Sequence, residues 1–152
     1  MLRIGKLTDY AIIVLGHMAK QPERTYTASD LASTASVAIP TVSKILKALT
    51  RTGVLKSTRG AKGGYQLALP PERTTVARII YAMEGPIALT ECGLEHDVCE
   101  QASCHIRGNW AVINRAIRSS LESVTLADMA RPQAPEEIRI SAHNIPIYPR
   151  PE

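Results

Sequence analysis

Apolar residues recur at steps of three and four along the first part of the chain, which is the period of amphipathic helices. Between positions 6 and 20 the recurring residues are Leu7, Tyr10, Ala11, Val14, Leu15 and Met18. This spacing predicts a first helix. A short second helix is predicted over about residues 28 to 35, because Thr27 and Asp30 in the stretch TASD can cap each other's backbone N–H groups.

A third helix is predicted in TVSKILKALTRTG, directly after Pro40. Proline suits a first helical turn, where its missing N–H would have no intrahelical partner. The period places Val42, Ile45, Leu46 and Leu49 inward, and Gly53 provides the stop. Two short helices joined by a tight connection, the second with a polar outer face, predict a helix-turn-helix.

The pattern then changes in VLKSTRGAKGGYQLA, which predicts a strand, a basic glycine-rich turn and a returning strand. Gly60, Gly63 and Gly64 permit positive φ and close backbone approach, with Arg59 and Lys62 at the tip. A basic hairpin directly after a recognition helix is a wing. The rival interpretation is a phosphate-cradling nucleotide loop, but no helix beginning with Lys-Ser or Lys-Thr follows it.

A further amphipathic stretch, VARIIYAMEG, closes the winged part near residue 85. A long helical pattern then runs from about 107 to 130, and little chain remains to cover its apolar stripe, so we expect it to dimerise. The stripe consists of Trp110, Ile113, Ile117, Leu121 and Val124.

The predicted fold class is mainly α with a small β-wing, a winged helix-turn-helix plus a long dimerisation helix. The predicted divisions are a winged domain at 1–85, a cysteine-rich cluster-binding loop at 86–106, a dimerisation helix at 107–130 and a proline-containing tail at 131–152.

Length and composition suit one ordinary domain with an extension, since 152 residues with 45% apolar content can form a packed core. The apolar N-terminal stretch is interrupted by Lys6, Asp9, His17 and Lys20, and no small-residue cleavage pattern follows it. We therefore expect no signal peptide, no membrane span and a cytoplasmic location.

Charge is distributed unevenly although the net charge is only +4. From Leu31 to Pro71 there is no acidic residue, so the basic residues of this stretch create a field suited to phosphates. A solvated basic face without a partner is the alternative. For DNA, we expect Thr41 and Lys44 at base edges, with Ser43 and Lys47 close by. Arg59 is placed for a minor groove, and Lys56 and Lys62 for phosphates.

All three cysteines fall in ECGLEHDVCEQASCH, where Cys92, Cys99 and Cys104 have the spacing Cys-x6-Cys-x4-Cys. This is not the paired arrangement of a zinc ribbon. A flexible loop can still bring three thiolates around one centre, and sulfur donors suit iron-sulfur clusters as well as zinc. A zinc site of three cysteines and one histidine, or plain structural thiols, are the alternatives.

Three segments together resemble a known family: LTDYAIIVL near the start, the wing RGAKGGYQLA, and the triple-cysteine loop before a long helix. In that order and spacing they are similar to the winged-helix regulators typified by IscR and NsrR, over roughly residues 1 to 130. The start MLRIGKLTDYA looks closest to the branch that regulates SUF iron-sulfur assembly genes. The resemblance implies a homodimer, double-stranded operator DNA as partner, and an iron-sulfur cluster, 2Fe-2S or 4Fe-4S, in the loop.

The fourth cluster ligand implied by the resemblance is either a histidine after the third cysteine or an acidic residue from the partner's first helix. His105 is adjacent to Cys104, and Arg107 occupies the position where a histidine ligand would stand. Asp9 in LTDYA matches the acidic ligand. We therefore expect three cysteines plus Asp9 of the other chain, with His105 and His96 as lesser alternatives.

The function expected from the residues and the resemblance together is transcriptional repression of iron-sulfur assembly genes, with a labile cluster sensing iron-sulfur or redox status. The alternative is a winged-helix regulator without an iron cluster, responding to nitric oxide or dependent on thiols or zinc. No substrate-binding motif or general acid-base pair is present, so we expect the protein not to be an enzyme.

Overall fold

The computed structural model describes residues 3–90 and 107–132 of the chain. Within these ranges the fold is mostly helical and contains one small antiparallel sheet. In chain order the elements are α1 (Lys6–Met18), α2 (Ala28–Ala35), α3 (Ile39–Arg51), β1 (Leu55–Thr58), β2 (Gly64–Leu67), a 3-10 turn (Pro71–Arg73), α4 (Val76–Glu84), α5 (Arg107–Ser123) and α6 (Leu126–Ala130).

Helix α1 confirms the predicted first helix and ends at Met18, the last apolar residue of the pattern. Its inward side buries Ala11, Val14, Leu15 and Met18 in the centre of the winged domain. Helices α2, α3, α4 and α6 all pack against it. The first helix is therefore the central element around which these four helices are arranged.

Helix α2 begins with the predicted capping box. The Thr27 hydroxyl accepts the Asp30 N–H and the Asp30 carboxylate accepts the Thr27 N–H, both at 3.1 Å. The helix ends at Ser36, which adopts left-handed backbone angles with φ 53°. That conformation turns the chain sharply into α3. It is uncommon for serine, and the sequence did not indicate it.

Helix α3 has the predicted burial, with Val42, Ile45, Leu46 and Leu49 all fully buried. Its end is also as predicted, because Gly53 has φ 72° and the following Val54 N–H donates back to the Leu49 carbonyl at 2.9 Å. Glycine adopts this left-handed angle without the steric cost of a side chain. The outer side of α3 carries polar and basic residues, together with the exposed Ile39 in its first turn.

The wing is the predicted hairpin, with Leu55 opposite Leu67 and Thr58 opposite Gly64. A third segment joins it, because Tyr26 and Tyr65 form an antiparallel bridge. Gly64 allows this approach, since a Cβ there would lie 2.5 Å from the Tyr26 carbonyl oxygen. The connection between α1 and α2 is thus part of the wing sheet.

The predicted continuous helix over 107–130 is divided in the structure into α5 and the short α6. The main chain between them pairs with the start of α4: the Val76 N–H donates to the Val124 carbonyl at 2.9 Å, and the Leu126 N–H to the Thr74 carbonyl at 2.7 Å. Thr125 then opens α6 with its own capping box. These pairings between distant segments compete with intrahelical hydrogen bonds and interrupt the helix.

A single apolar cluster joins α1, α2, α3, α4, the wing and α6. Leu126 of α6 is fully buried in it. Helix α5 packs on α4 and leaves a large part of its surface open. Among the described residues, no helix combines the length and apolar character needed to cross a membrane.

Candidate nucleic-acid interface

The outer side of α3 carries the residues expected to meet base edges. Lys44 and Lys47 are exposed, and Thr41 and Ser43 are half-exposed at the first turns of the helix. The buried residues on the opposite side fix the rotation of the helix, so these four side chains cannot turn inward without exposing apolar surface. This is the orientation that a recognition helix requires.

The wing presents a second set of cations. On β1 only Leu55 is buried, whereas Lys56 is exposed, as are Arg59 and Lys62 in the turn. Within the described ranges, none of the six cations on α3 and the wing, with Arg51 at the end of α3 included, forms an ion pair. With no carboxylate between Leu31 and Pro71, their positive field is not neutralised locally.

Two hydrogen-bonded connections hold the wing relative to the helices. Tyr26 and Tyr65 exchange backbone hydrogen bonds of 2.9 and 2.8 Å. The Arg78 guanidinium of α4 donates to the Gly53 carbonyl at 3.0 Å, at the point where α3 ends. Neither Tyr26 nor Arg78 was expected to be important from the sequence. Their partners are distant along the chain, and no local pattern marks such pairings.

Asp9 lies in the first turn of α1 with an exposed side chain. Its N–H donates to the Gly5 carbonyl at 3.1 Å, and among the described residues its carboxylate has no hydrogen-bond or ion-pair partner. The other expected metal ligands, namely Cys92, Cys99, Cys104, His96 and His105, lie outside the described residues. Within those that are described, no cluster of three His, Cys, Asp or Glu side chains could hold a metal ion.

The described chain approaching the cysteine-rich segment is held to α5 by Asn114. This side chain is only 5% exposed, and its Oδ1 accepts the Leu89 N–H at 2.8 Å. Its amide nitrogen and the Thr90 hydroxyl are buried without a partner among the described atoms. Sequence reasoning missed Asn114. The available signal was a polar residue directly after Ile113, beside the apolar stripe of α5.

Helix α5 exposes apolar side chains that the described residues do not cover. Val112 is 65% exposed and Ile113 42% exposed, whereas Trp110, Ile117 and Leu121 are half-buried. Of the five residues in the predicted stripe, Ile113 is exposed and the other four are half-buried; Val112 was not part of the prediction.

His17 lies at the end of α1 beside the wing connection. Its ring meets the Tyr26 ring edge-on with centroids 5.7 Å apart, and the Arg24 guanidinium lies 4.9 Å from the centre of the same tyrosine ring. Burial lowers the pKa of His17, and the positive charges of Lys20 and Arg24 lower it further. The neutral imidazole is therefore favoured here.

Comparison with known proteins places this architecture among transcriptional regulators. Residues 4–132 match the family model Rrf2, described as an iron-dependent transcriptional regulator. The protein named Rrf2 of Nitratidesulfovibrio vulgaris Hildenborough is 34% identical over 116 residues, covering 76% of this chain and 75% of that protein.

Solved structures of known regulators share this fold, among them CymR and IscR. CymR (YrzC), the global cysteine regulator of B. subtilis, is 30% identical with a TM-score of 0.67, over 86% of this chain and 97% of that chain. IscR of T. potens is 27% identical with a TM-score of 0.62, over 84% of this chain and 85% of that chain.

Proposed function

Because this chain belongs to the Rrf2 family of DNA-binding transcriptional regulators, which are not enzymes, we propose that it is a homodimeric repressor of iron-sulfur assembly genes. In this proposal a labile iron-sulfur cluster reports iron-sulfur or redox status. The observation that carries the proposal is the Asp9 carboxylate, which is exposed and has no partner among the described residues, in a chain with three clustered cysteines and a basic surface on α3 and the wing.

DNA contacts divide by type in this proposal. Thr41 and Lys44 read base edges from α3 in the major groove, with Ser43 and Lys47 beside them. Arg59 enters a minor groove from the wing, where a narrow A-T tract concentrates negative potential. Lys56 and Lys62 bind phosphates. A symmetric dimer presents two such surfaces, so the operator is a near-palindrome with half-sites about one helical turn, or a multiple of it, apart.

The proposed second copy of the chain covers α5. Val112 and Ile113 form an exposed apolar pair on α5, which packs on α4 among the described elements. A twofold axis beside α5 would bury this pair against its equivalent, since the same patch occurs on both subunits of a symmetric dimer. Apolar surface removed from water at that contact would supply the association energy.

The donor set suits an iron-sulfur cluster. Three thiolates from Cys92, Cys99 and Cys104 are soft ligands of the kind such clusters need, and Asp9 of the partner supplies an oxygen as the fourth. When bound, the cluster supplies a group whose incomplete cysteine ligation makes it sensitive to oxidants and nitric oxide. The Thr90 hydroxyl and the Asn114 amide nitrogen are buried without a hydrogen-bond partner among the described residues, and they are donors available to groups of the adjoining cysteine segment.

Regulation follows from where these residues lie on the fold. Asp9 belongs to α1, which packs against both α2 and α3 of the helix-turn-helix. Holding Asp9 of one chain against the cysteine segment of the other restrains α1, and with it the spacing of the two recognition helices. Two states of that spacing, with different operator affinity, are sufficient for a switch.

The deciding experiment is an anaerobic absorbance spectrum with iron and acid-labile sulfide analysis. It is made on the wild type, Asp9→Ala and His105→Ala, with Glu72→Ala as a control on an exposed carboxylate in the 3-10 turn. We expect visible charge-transfer bands with iron and sulfide in the wild type, altered by Asp9→Ala and unchanged in the other two variants. Operator binding by the loaded and cluster-free wild type then measures the switch.

The alternative function predicts different results. A colourless protein that lacks iron and sulfide after anaerobic reconstitution, yet binds its operator fully, would support a thiol- or zinc-dependent regulator. Spectral change in His105→Ala but not in Asp9→Ala would assign the fourth ligand to His105 instead.

A further inference from the structure

The first turn of α1 is capped by another helix. Gly5, the residue before this helix, has no side chain to accept the free N–H groups of the turn. The carboxylate of Glu84, the last residue of α4, takes this role. Its Oε1 accepts the Gly5 N–H at 2.7 Å and the Thr8 hydroxyl at 2.5 Å.

Asp9 is attached directly to the atoms that Glu84 holds. It follows Thr8, whose side chain is only 1% exposed, and its N–H donates to the Gly5 carbonyl at 3.1 Å. Glu84 therefore holds Gly5 and Thr8, the two residues that set the main-chain position of Asp9. If the Glu84 carboxylate moves, both residues are expected to move with it. A negative charge at this end of α1 also interacts favourably with the helix dipole, and hydrogen bonds to an ionised acceptor are stronger than neutral ones.

The same helix reaches the recognition helix. Arg78 donates to the Gly53 carbonyl at 3.0 Å, where α3 ends and the wing begins. Arg78 and Glu84 lie on one short helix, and an α-helix rises only about 1.5 Å per residue with little give along its axis. One short helix thus carries a contact to the Asp9 turn and a contact to the end of α3.

We infer that Glu84 is a positioning residue for Asp9, and that α4 transmits the placement of α1 to the recognition helix and wing through Arg78. The inference rests on the proposed function, because it takes Asp9 as the ligand offered to the partner chain. It adds two contacts to that function. Glu84 positions Asp9, and Arg78 connects α4 to the end of the recognition helix.

The test compares Glu84→Ala, Glu84→Gln and Arg78→Met with Glu72→Ala, which removes an exposed carboxylate without a described partner. Visible circular dichroism of the anaerobically loaded protein reports the ligand environment. Fluorescence anisotropy with an operator duplex reports the ratio of affinities with and without the cluster. Thermal unfolding checks that each variant is folded.

Glu84→Ala should shift the dichroism spectrum toward that of Asp9→Ala and reduce the affinity ratio toward unity. Couplings of this kind are typically about 5–150-fold, so a loss is measurable. Glu84→Gln keeps an oxygen acceptor in place and should retain the wild-type spectrum with a partly reduced ratio. Arg78→Met should leave the spectrum unchanged and reduce the ratio, whereas Glu72→Ala should match the wild type in both readouts.

A wild-type spectrum and ratio in folded Glu84→Ala would overturn the positioning role while leaving the proposed function intact. An unchanged ratio in Arg78→Met would overturn the transmission through α4. If Asp9→Ala itself has the wild-type spectrum, the ligand assignment in the proposed function fails first and the inference fails with it.

Discussion

Tyr26 and Tyr65 exchange both of their backbone hydrogen bonds, at 2.9 and 2.8 Å, and so join the connection between α1 and α2 to the inner strand of the wing. Gln66 strengthens the contact by donating from its side chain to the Glu23 carbonyl at 2.8 Å. Both contacts are made by β2, and they attach the wing to the segment that precedes α2. In the proposed DNA complex, this attachment would hold Arg59 in a fixed position relative to α3.

The close approach at Gly64 makes the wing sensitive to one added methyl group. A Cβ at Gly64 would lie 2.5 Å from the Tyr26 carbonyl oxygen. Gly64→Ala should therefore push β2 away from the Tyr26 segment and lower the free energy of unfolding by about 1–3 kcal/mol. Gly16→Ala is the control, because nothing lies within 4 Å of its added Cβ in helix α1. Gly16→Ala should raise the free energy of unfolding by about 0.5–1 kcal/mol. Urea unfolding measures both, and equal stability of the two variants would contradict the prediction.

Substitutions at the neighbouring residues Leu46 and Lys47 of α3 should have different effects, the first on stability and the second on DNA affinity. Leu46→Ala removes a fully buried side chain and should lower the free energy of unfolding by about 2–5 kcal/mol. Lys47→Ala changes an exposed one and should alter stability by no more than about 0.5 kcal/mol. Lys47→Ala should nevertheless weaken operator binding and reduce the salt dependence by about one counterion. A salt titration of binding in which Lys47→Ala matches the wild type would remove Lys47 from the interface.

Arg59 and Lys56 should differ in what they contribute to sequence discrimination. Arg59→Ala should lose selectivity between A-T and G-C flanks under the wing, by about the 1–3 kcal/mol that changing one base pair in a site typically costs. Lys56→Ala should weaken binding to both flanks alike, because phosphates carry no sequence information. Competition binding with matched duplexes distinguishes the two, and an unchanged flank preference in Arg59→Ala would place its side chain outside the groove.

A charge on the open side of α5 should dissociate the proposed dimer. Val112→Glu buries a carboxylate against its symmetric copy if this surface is the interface, and an unpaired buried charge is strongly unfavourable. Ile39→Glu is a matched control, since Ile39 is a 52% exposed isoleucine on a different helix. Sedimentation velocity should show a monomer for Val112→Glu and a dimer for Ile39→Glu. A dimeric Val112→Glu would exclude this part of α5 from the interface.

Stability should depend on pH through His17. Its pKa lies below the ordinary value of 6.5 because of burial first, and of Lys20 and Arg24 next. The unfolded chain therefore takes up the proton more readily than the folded chain. The contribution to stability is fully present above pH 6.5 and is lost as the pH falls toward the lower folded-state pKa.

His17→Gln should remove that part of the pH dependence, which urea unfolding measured across this range would detect. Lys20→Gln should move the pKa of His17 only partly toward its ordinary value, because burial remains. An NMR titration in which His17 has its ordinary pKa in the wild type would contradict this account.

Local patterns in the sequence determined much of the DNA-binding surface. The period of apolar residues fixed which side of α3 is buried, and therefore which side carries Lys44 and Lys47. The Thr27 and Asp30 cap, the stop at Gly53 and the wing hairpin are also local, because their partners lie a few residues away. Short-range hydrogen bonding and helical period are readable from sequence because they depend little on the rest of the fold.

Contacts between distant segments were decided only by the tertiary structure. Three such contacts are hydrogen bonds between residues far apart in the chain: Glu84 with Gly5, Arg78 with Gly53, and Asn114 with Leu89. The break between α5 and α6 has the same origin, since residues 124–126 pair with the start of α4. A charged or amide side chain finds such a partner only after packing has brought two segments together, and packing sums many weak contacts that no local spacing encodes.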